Sequence, residues 1–255
     1  RQDLSDENRT RIRALLVENL VRTGQYEEAL STAKGDEFPF WRGMALSGLG
    51  RLTEALPILY QFIDDPSDTR HENALITISS AYDSIGMADK SIQIISDSLE
   101  KSKESPRSPI IYLILADLHI TKGNYDESLK SLNKATISPK SRFKLLAEII
   151  RSRSLIYSNR LEEANDLLRK LYLNPKEFSP DIYKTLNLLR AETLKRLEQF
   201  DESLSVLQAA VENAPPGTNT FPFFDSMILI KEECKEQLND LLKNWIKSEN
   251  KQLSR

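Results

Sequence analysis

Glycine is scarce in this chain, with 8 among 255 residues, and proline is limited to 11; average usage would put glycine at about 7%. Glycine supplies the positive φ angles of tight turns, hairpins and phosphate-cradling loops. Its shortage speaks against a β-rich fold and against a glycine-loop nucleotide site. Cysteine is nearly absent: Cys234 stands alone, which excludes an intrachain disulfide and a thiolate metal cluster. No apolar run approaches the ~20 residues that span a bilayer, so no membrane span is expected. Neither sign of charge dominates, with 35 Lys and Arg against 38 Asp and Glu, net −3, and 40% apolar residues. That balance belongs to an ordinary soluble globular chain, well clear of disordered composition.

What is present is repetition. Six 14-residue stretches, 20–33, 46–59, 82–95, 119–132, 155–168 and 194–207, align without gaps. Their turn residues are Gly24, Gly50, Gly86, Gly123, Asn159 and Glu198, at spacings of 26, 36, 37, 36 and 39. Four of the eight glycines thus occupy one equivalent turn, where a helix ends and a left-handed residue is needed. Asn is the usual substitute there; Glu198 departs from the pattern, so a strained or differently shaped turn is expected at that copy.

The flanking rows are helical. Two residues after the turn come Tyr26, Leu52, Ala88, Tyr125, Leu161 and Phe200; three further on the side chain is small, as Ala29, Ala55, Ser91, Ser128, Ala164 and Ser203; four beyond that lie Ala33, Leu59, Ile95, Leu132, Leu168 and Leu207. Offsets of three and four define one helix face. Leu20, Leu46, Tyr82, His119, Leu155 and Leu194 lie four before the turn, and Gly43, Ser79, Ala116, Ser152 and Ala191 seven before, with Val17 breaking that row. Each unit reads as helix, turn, helix, packed antiparallel through small residues. The short first spacing predicts a truncated second helix, with Lys34 and Gly35 as its stop.

This pattern resembles the tetratricopeptide repeat, a 34-residue helix-turn-helix unit. The resemblance covers roughly residues 8–216, and Pro66, Pro139, Pro175 and Pro215 close their units 16, 16, 16 and 17 residues after the turn. It implies an all-α, right-handed αα superhelix: six repeats over residues 1–216, then a capping helix over 217–255, in one continuous solenoid. In that last segment Met227, Ile230, Cys234, Leu238, Leu241 and Trp245 form a single apolar stripe, with Lys and Glu on the other faces. A solvating cap, which a repeat array needs at its end, and a docking surface for another chain are both compatible with it.

Residues that carry catalysis are few. His71 reads as a surface residue at the start of a first helix, and His119 as a packing residue with a satisfied nitrogen. Two histidines and one cysteine spread over three units lack zinc-ligand spacing. The chain has no GxSxG elbow, Walker loop or GxGxxG, and the adjacent acids Asp64-Asp65 and Glu162-Glu163 read as solvated charge. No catalytic residue, cofactor or metal is expected. Net charge is −6 over residues 1–104 and +5 over 140–200; the positive band lacks the aromatic interleaving of a single-strand binder, so nucleic acid is not an expected partner.

In tetratricopeptide arrays the first helices line a concave groove with rows 13, 10, 6, 3 and 2 residues before the turn. Here the row ten before is Ala14, Phe40, Ile76, Leu113, Ile149 and Leu188, and the row six before is Glu18, Met44, Ser80, Asp117, Arg153 and Glu192; Ile110, Leu146, Ile120, Ile156 and Tyr157 come from the others. The Lys and Asn clamp with which co-chaperone members hold a C-terminal carboxylate is missing. The resemblance therefore implies an apolar partner-binding groove built from Phe40, Met44, Ile76, Ile110, Leu113, Asp117, Leu146, Ile149, Arg153, Tyr157 and Leu188. The opposing reading, that superhelical curvature or neighbouring first helices cover these side chains, stays open at this stage.

The expected function is a non-enzymatic scaffold that takes an amphipathic helix or extended apolar peptide in that groove. Two alternatives are an assembly subunit that docks through its convex face or final helix, and an accessory module of a larger polypeptide. The chain opens on Arg1 instead of methionine, which is expected of a processed or trimmed chain; a cytoplasmic or, with a signal peptide removed, a periplasmic location fits equally.

Overall fold

The computed structural model describes residues 5–33, 37–101, 109–138, 141–171 and 178–236. Among them every regular element is helical. In chain order these are α1 (Asp6–Arg22), α2 (Tyr26–Thr32), α3 (Pro39–Gly48), α4 (Leu52–Leu59) with a 3-10 turn at Tyr60–Phe62, α5 (His71–Ser84) and α6 (Ala88–Lys101). They continue as α7 (Pro109–Thr121), α8 (Tyr125–Lys134), α9 (Lys144–Tyr157), α10 (Leu161–Leu171), α11 (Pro180–Arg196) and α12 (Phe200–Glu212). Residues 221–236 form a last helical stretch, α13. The chain packs as two compact units, residues 1–144 and 145–255. Pro139, Pro175, Gly35, Leu238, Leu241 and Trp245 lie outside the described residues.

Local chemistry sets the helix ends. Ser5 caps α1 by accepting from the Asn8 N–H at 3.3 Å, with Asp6 and Glu7 in the first turn and Arg22 in the last, each matched to the helix dipole. Ser179, followed by Pro180 at the first helical position, starts α11 in the same way. α2 is only 7 residues long, the truncation that the first repeat spacing implies. α4 is short for a different reason. Pro57 inside it has no N–H to give, and the chain tightens into the 3-10 turn three residues on.

One turn geometry recurs at all six first-helix ends. The residue after the turn donates to the carbonyl five back, as Gln25 to Leu20 at 2.8 Å and Arg51 to Leu46 at 2.9 Å. The turn residue itself donates to the carbonyl three back, as Gly24 to Val21 at 3.1 Å. This is the Schellman pairing, which satisfies orphan carbonyls and demands positive φ. The glycines sit at φ 73–77°, Asn159 at 60° and Glu198 also at 60°. The Glu198 turn keeps both bonds, Glu198 donating to the Lys195 carbonyl and Gln199 to that of Leu194, at 2.9 Å each. Of the two alternatives expected at Glu198, a strained turn or a differently shaped one, the structure has the first: the turn keeps its shape, and the cost falls on the Cβ held in left-handed backbone.

The row of small residues marks where the paired helices touch. Ala29, Ala55, Ser91, Ser128, Ala164 and Ser203 are all at 0% exposure. Across from them Val17, Ser79, Ala116, Ser152 and Ala191 are buried too, and a Cβ on Gly43 would come within 2.9 Å of Leu59. Serine costs little here because each hydroxyl finds a partner: Ser91 donates to the Ser79 carbonyl at 3.0 Å, and Ser203 to that of Ala191 at 2.7 Å.

In unit 1 (1–144) each helix packs on the next from α1 to α8, and the first helices also meet in sequence, α1 with α3, α3 with α5 and α5 with α7. In unit 2 (145–255), α11 packs on α10 and α12, and α13 buries Phe223 and Ile230 in a core with Tyr183, Leu207 and Ala210. The outer side of α13 does not match its expected Lys and Glu surface. Phe221, Phe224, Ile228 and Leu229 are exposed there.

Candidate functional site

Unit 1 has an open cleft of about 330 Å³ where α1, α3 and α5 meet. Val21 and Arg22 come from α1, Trp41, Met44, Ser47 and Gly48 from α3, and Asn73, Ile76, Thr77 and Ser80 from α5, with Tyr26 of α2 at one end. The apolar floor is Trp41, Met44 and Ile76, all half-buried. Around it the side chains are tied down. The Thr77 hydroxyl lies 3.2 Å from the Met44 sulfur and donates to the Asn73 carbonyl at 2.8 Å. Arg22 sits 5.8 Å from the centre of the Trp41 ring and pairs with Glu18 at 2.8 Å. Gly48 leaves room for the Tyr26 ring, into which any Cβ would project.

The cleft takes its residues on a diagonal. It uses positions 3 and 2 before the turn in α1, positions 9, 6, 3 and 2 in α3, and positions 13, 10, 9 and 6 in α5. Successive first helices cross at an angle, so late positions of one face early positions of the next. Met44 and Ile76 were expected from sequence and are here. Ser80 was in the row that the resemblance marks. Trp41 and Thr77, nine before the turn, belong to no expected row; only the size of Trp41 next to the Phe40 row could have signalled it.

Two expected groove residues need correction. Phe40, at 3% exposure, is in the core between Trp41 and Phe62, its ring centre 4.9 and 5.3 Å from theirs. Leu113, at 1%, is inside unit 1. Both fall on the covered side of their helices because the ten-before row turns inward at α3 and α7. Ile120 and Ile156 are buried as well. Ile110 and Asp117 are half-buried on α7, away from the cleft lining.

In unit 2, Leu146 and Tyr157 are exposed on α9, and Ile149, Arg153 and Leu188 are half-buried. Arg196 lies 5.4 Å from the Tyr157 ring centre and donates to the Ile156 carbonyl at 3.2 Å, which fixes α11 to α9. A cleft in this unit, about 440 Å³, is lined by none of them. Asn187, Arg190, Asp201, Glu202, Ser205, Val206 and Ala209 line it, and charged residues on α11 and α12 lay outside a search for apolar rows.

The histidines also differ from expectation. His71 begins α5 as foreseen but is buried, with Nε2 2.9 Å from the Ser98 hydroxyl. Just before it, the Arg70 side chain and N–H hold Asp68 down to about 2. His119 is half-buried in its Leu and Tyr row, and its Nδ1 has no hydrogen-bond partner among the described residues, contrary to the satisfied nitrogen expected. Burial pushes the pKa of both imidazoles down.

Residues 110–136, which hold nearly all of α7, the Gly123 turn and α8, match the family model described as Tetratricopeptide repeat. That segment carries a tetratricopeptide repeat. Solved structures share its fold. The thermophilic TPR protein TTC0263 of Thermus thermophilus has a TM-score of 0.53 at 18% identity, covering 76% of this chain and 100% of its own. MamA AMB-1 has 0.51 at 19%, covering 69% and 96%. The Cut9–Hcn1 APC/C hetero-tetramer gives 0.60 at 13%, over 92% of this chain and 44% of that one. No curated protein matches in sequence. The tetratricopeptide fold is thus the all-α, right-handed αα superhelix class that the repeat pattern implied, and no helix among the described residues is long and apolar enough to cross a membrane.

Proposed function

We propose that this chain is a non-enzymatic interaction scaffold that takes an apolar segment of another polypeptide, as an amphipathic helix or an extended stretch, into the unit 1 cleft. The observation that carries the reading is the convergence of Trp41, Met44 and Ile76 from two first helices on one half-buried floor, rimmed by Asn73, Thr77, Ser47 and Ser80. A few hundred Å³ with an apolar base and a few fixed polar groups is the usual build of a recognition pocket. It has room for one or two anchor side chains of a bound segment, the helix-in-groove mode. Burying two such anchors gains roughly 1.5–3 kcal/mol each. After association costs of several kcal/mol, the affinity falls in the micromolar class or weaker.

The test is selection of binding peptides from a displayed random library with the full chain. Peptides carrying apolar anchors are expected, and the double variant Met44→Glu with Ile76→Glu should lose at least about tenfold in their affinity. Equal binding by that variant sinks the cleft as the site.

A further inference from the structure

The unit 1 cleft carries one side chain with redox chemistry of its own, the thioether of Met44. Of the chain's three methionines, Met44, Met87 and Met227, only Met44 is in the lining of that cleft. Met87 is 45% exposed beside the Gly86 turn, and Met227 packs against the unit 2 core. Met44 is half-buried and shares the lining with Trp41, Ile76 and Thr77. The cleft is open to solvent, so a small oxidant reaches the sulfur.

The Thr77 hydroxyl governs what happens at that sulfur. It has one proton to give, and two acceptors are in reach, the Asn73 carbonyl at 2.8 Å and the Met44 sulfur at 3.2 Å. A thioether is a weak acceptor, so the proton goes to the carbonyl and the lone pairs of the sulfur stay free to react. A sulfoxide oxygen is a stronger acceptor than either. Once it forms, the hydroxyl rotates to it, and the Asn73 carbonyl keeps the N–H of Thr77 within α5. A polar oxygen in an apolar floor needs a donor, and here the donor already stands beside the sulfur.

We infer that Met44 is an oxidation switch of the cleft: a peroxide converts it to the sulfoxide, Thr77 holds the new oxygen in the floor, and the apolar anchor of a bound segment is shut out. The switch rests on the cleft being the peptide site. In the reaction a sulfur lone pair attacks one oxygen of hydrogen peroxide. The S–O bond forms as the O–O bond breaks, and the other oxygen leaves as water with both protons. Sulfur gives up two electrons and the peroxide takes them. The change is reversible, because methionine sulfoxide reductases return the thioether. While it lasts, a polar oxygen interrupts the surface on which Trp41, Met44 and Ile76 converge, and sulfoxide formation disrupts methionine-containing interfaces in this way.

The test treats the full chain with hydrogen peroxide, locates the sulfoxides by mass spectrometry, and measures a library-selected peptide that Met44→Glu with Ile76→Glu fails to bind. Oxidation at Met44 should lower the affinity at least about tenfold with helicity unchanged, and reductases for both sulfoxide epimers should restore it. Met87→Leu should lose as much on oxidation as the parent chain. Met44→Leu, whatever its own affinity, should bind equally before and after peroxide. Thr77→Val, which removes the donor at nearly the same shape, should lose no more than about threefold. Unchanged affinity with Met44 oxidised, a Met44 that stays reduced while Met87 is oxidised, a loss that comes with lost helicity, or a full loss in Met44→Leu or Thr77→Val would overturn the switch and leave the cleft as the peptide site. If every selected peptide binds Met44→Glu with Ile76→Glu as well as the parent, the peptide site and the switch both fall.

Discussion

The second hairpin of unit 1 is filled with rings: Phe40, Trp41 and Phe62 pack edge to face, and Arg70 lies 4.5 Å from the Phe62 centre. In unit 2, Tyr183 of α11 meets Phe223 of α13 edge to face at 6.5 Å, and the Tyr183 hydroxyl donates to the Ala210 carbonyl at 3.1 Å. Unit 1 also holds both histidines of the chain, buried or half-buried, and unit 2 has none. Yet the small row and the Schellman turns are the same in both. The difference teaches that the repeat dictates how two helices of a hairpin touch and leaves open what lies between hairpins. Function is therefore sought in the variable layer: a cleft with Tyr26 and Trp41 in its lining in unit 1, and one lined by Arg190, Asp201 and Glu202 in unit 2.

The largest effect that would sharpen this contrast is a buried charge. Leu113→Glu puts a carboxylate into the interior of unit 1 and should cost more than about 4 kcal/mol. Leu146→Glu, on the exposed side of α9, should cost no more than about 0.5 kcal/mol. Urea unfolding followed by far-UV circular dichroism separates them, and comparable losses would show that the inner face has been misplaced.

Acid should divide the units next. Both imidazoles have folded pKa values below the unfolded value of about 6.5. As pH falls through that unfolded value, the unfolded chain takes up protons first, and stability declines until pH has passed the folded pKa values. Hydrogen exchange at about pH 5.5 against about pH 7.5, corrected for intrinsic rates, should reveal more frequent opening of α5 and α7 and little change in α11 and α12. His119→Leu, which restores the Leu of its row, should remove part of the response. Equal destabilisation of both units would break the comparison.

The smallest effect concerns the turns. Glu198→Gly relieves left-handed backbone worth roughly 1–2 kcal/mol and gives back about 0.4–1 kcal/mol as unfolded-chain entropy, so a net gain of about 0.5–1 kcal/mol is expected in unit 2. Gly123→Ala in unit 1 should lose a similar amount, read by the same urea titration.

These contrasts also show what a sequence reader can reach. The hairpins were legible because their rows are enforced twice, by close helix approach at Ala29 or Ser203 and by the turn bond to Leu20 or Leu194. The cleft was only half legible. Met44 and Ile76 lay in rows read straight down the repeats, but first helices cross, so the surface follows a diagonal that brings in Trp41 and Thr77 and turns Phe40 and Leu113 inward. Glu198 was legible as a place of strain, since a residue with a Cβ stands where the turn bonds demand positive φ. On α13 the expected apolar row through Met227, Ile230 and Cys234 left out Phe221, Phe224 and Ile228, which are exposed on the same helix.

The central claim, that the unit 1 cleft is where this scaffold holds its partner, is tested most directly by the emission of Trp41. With Trp245→Phe removing the only other tryptophan, titration with a library-selected peptide should shift that emission and saturate at one peptide per chain. The shift should disappear in Met44→Glu with Ile76→Glu. A saturable binding isotherm by calorimetry with no change at Trp41 would contradict the account.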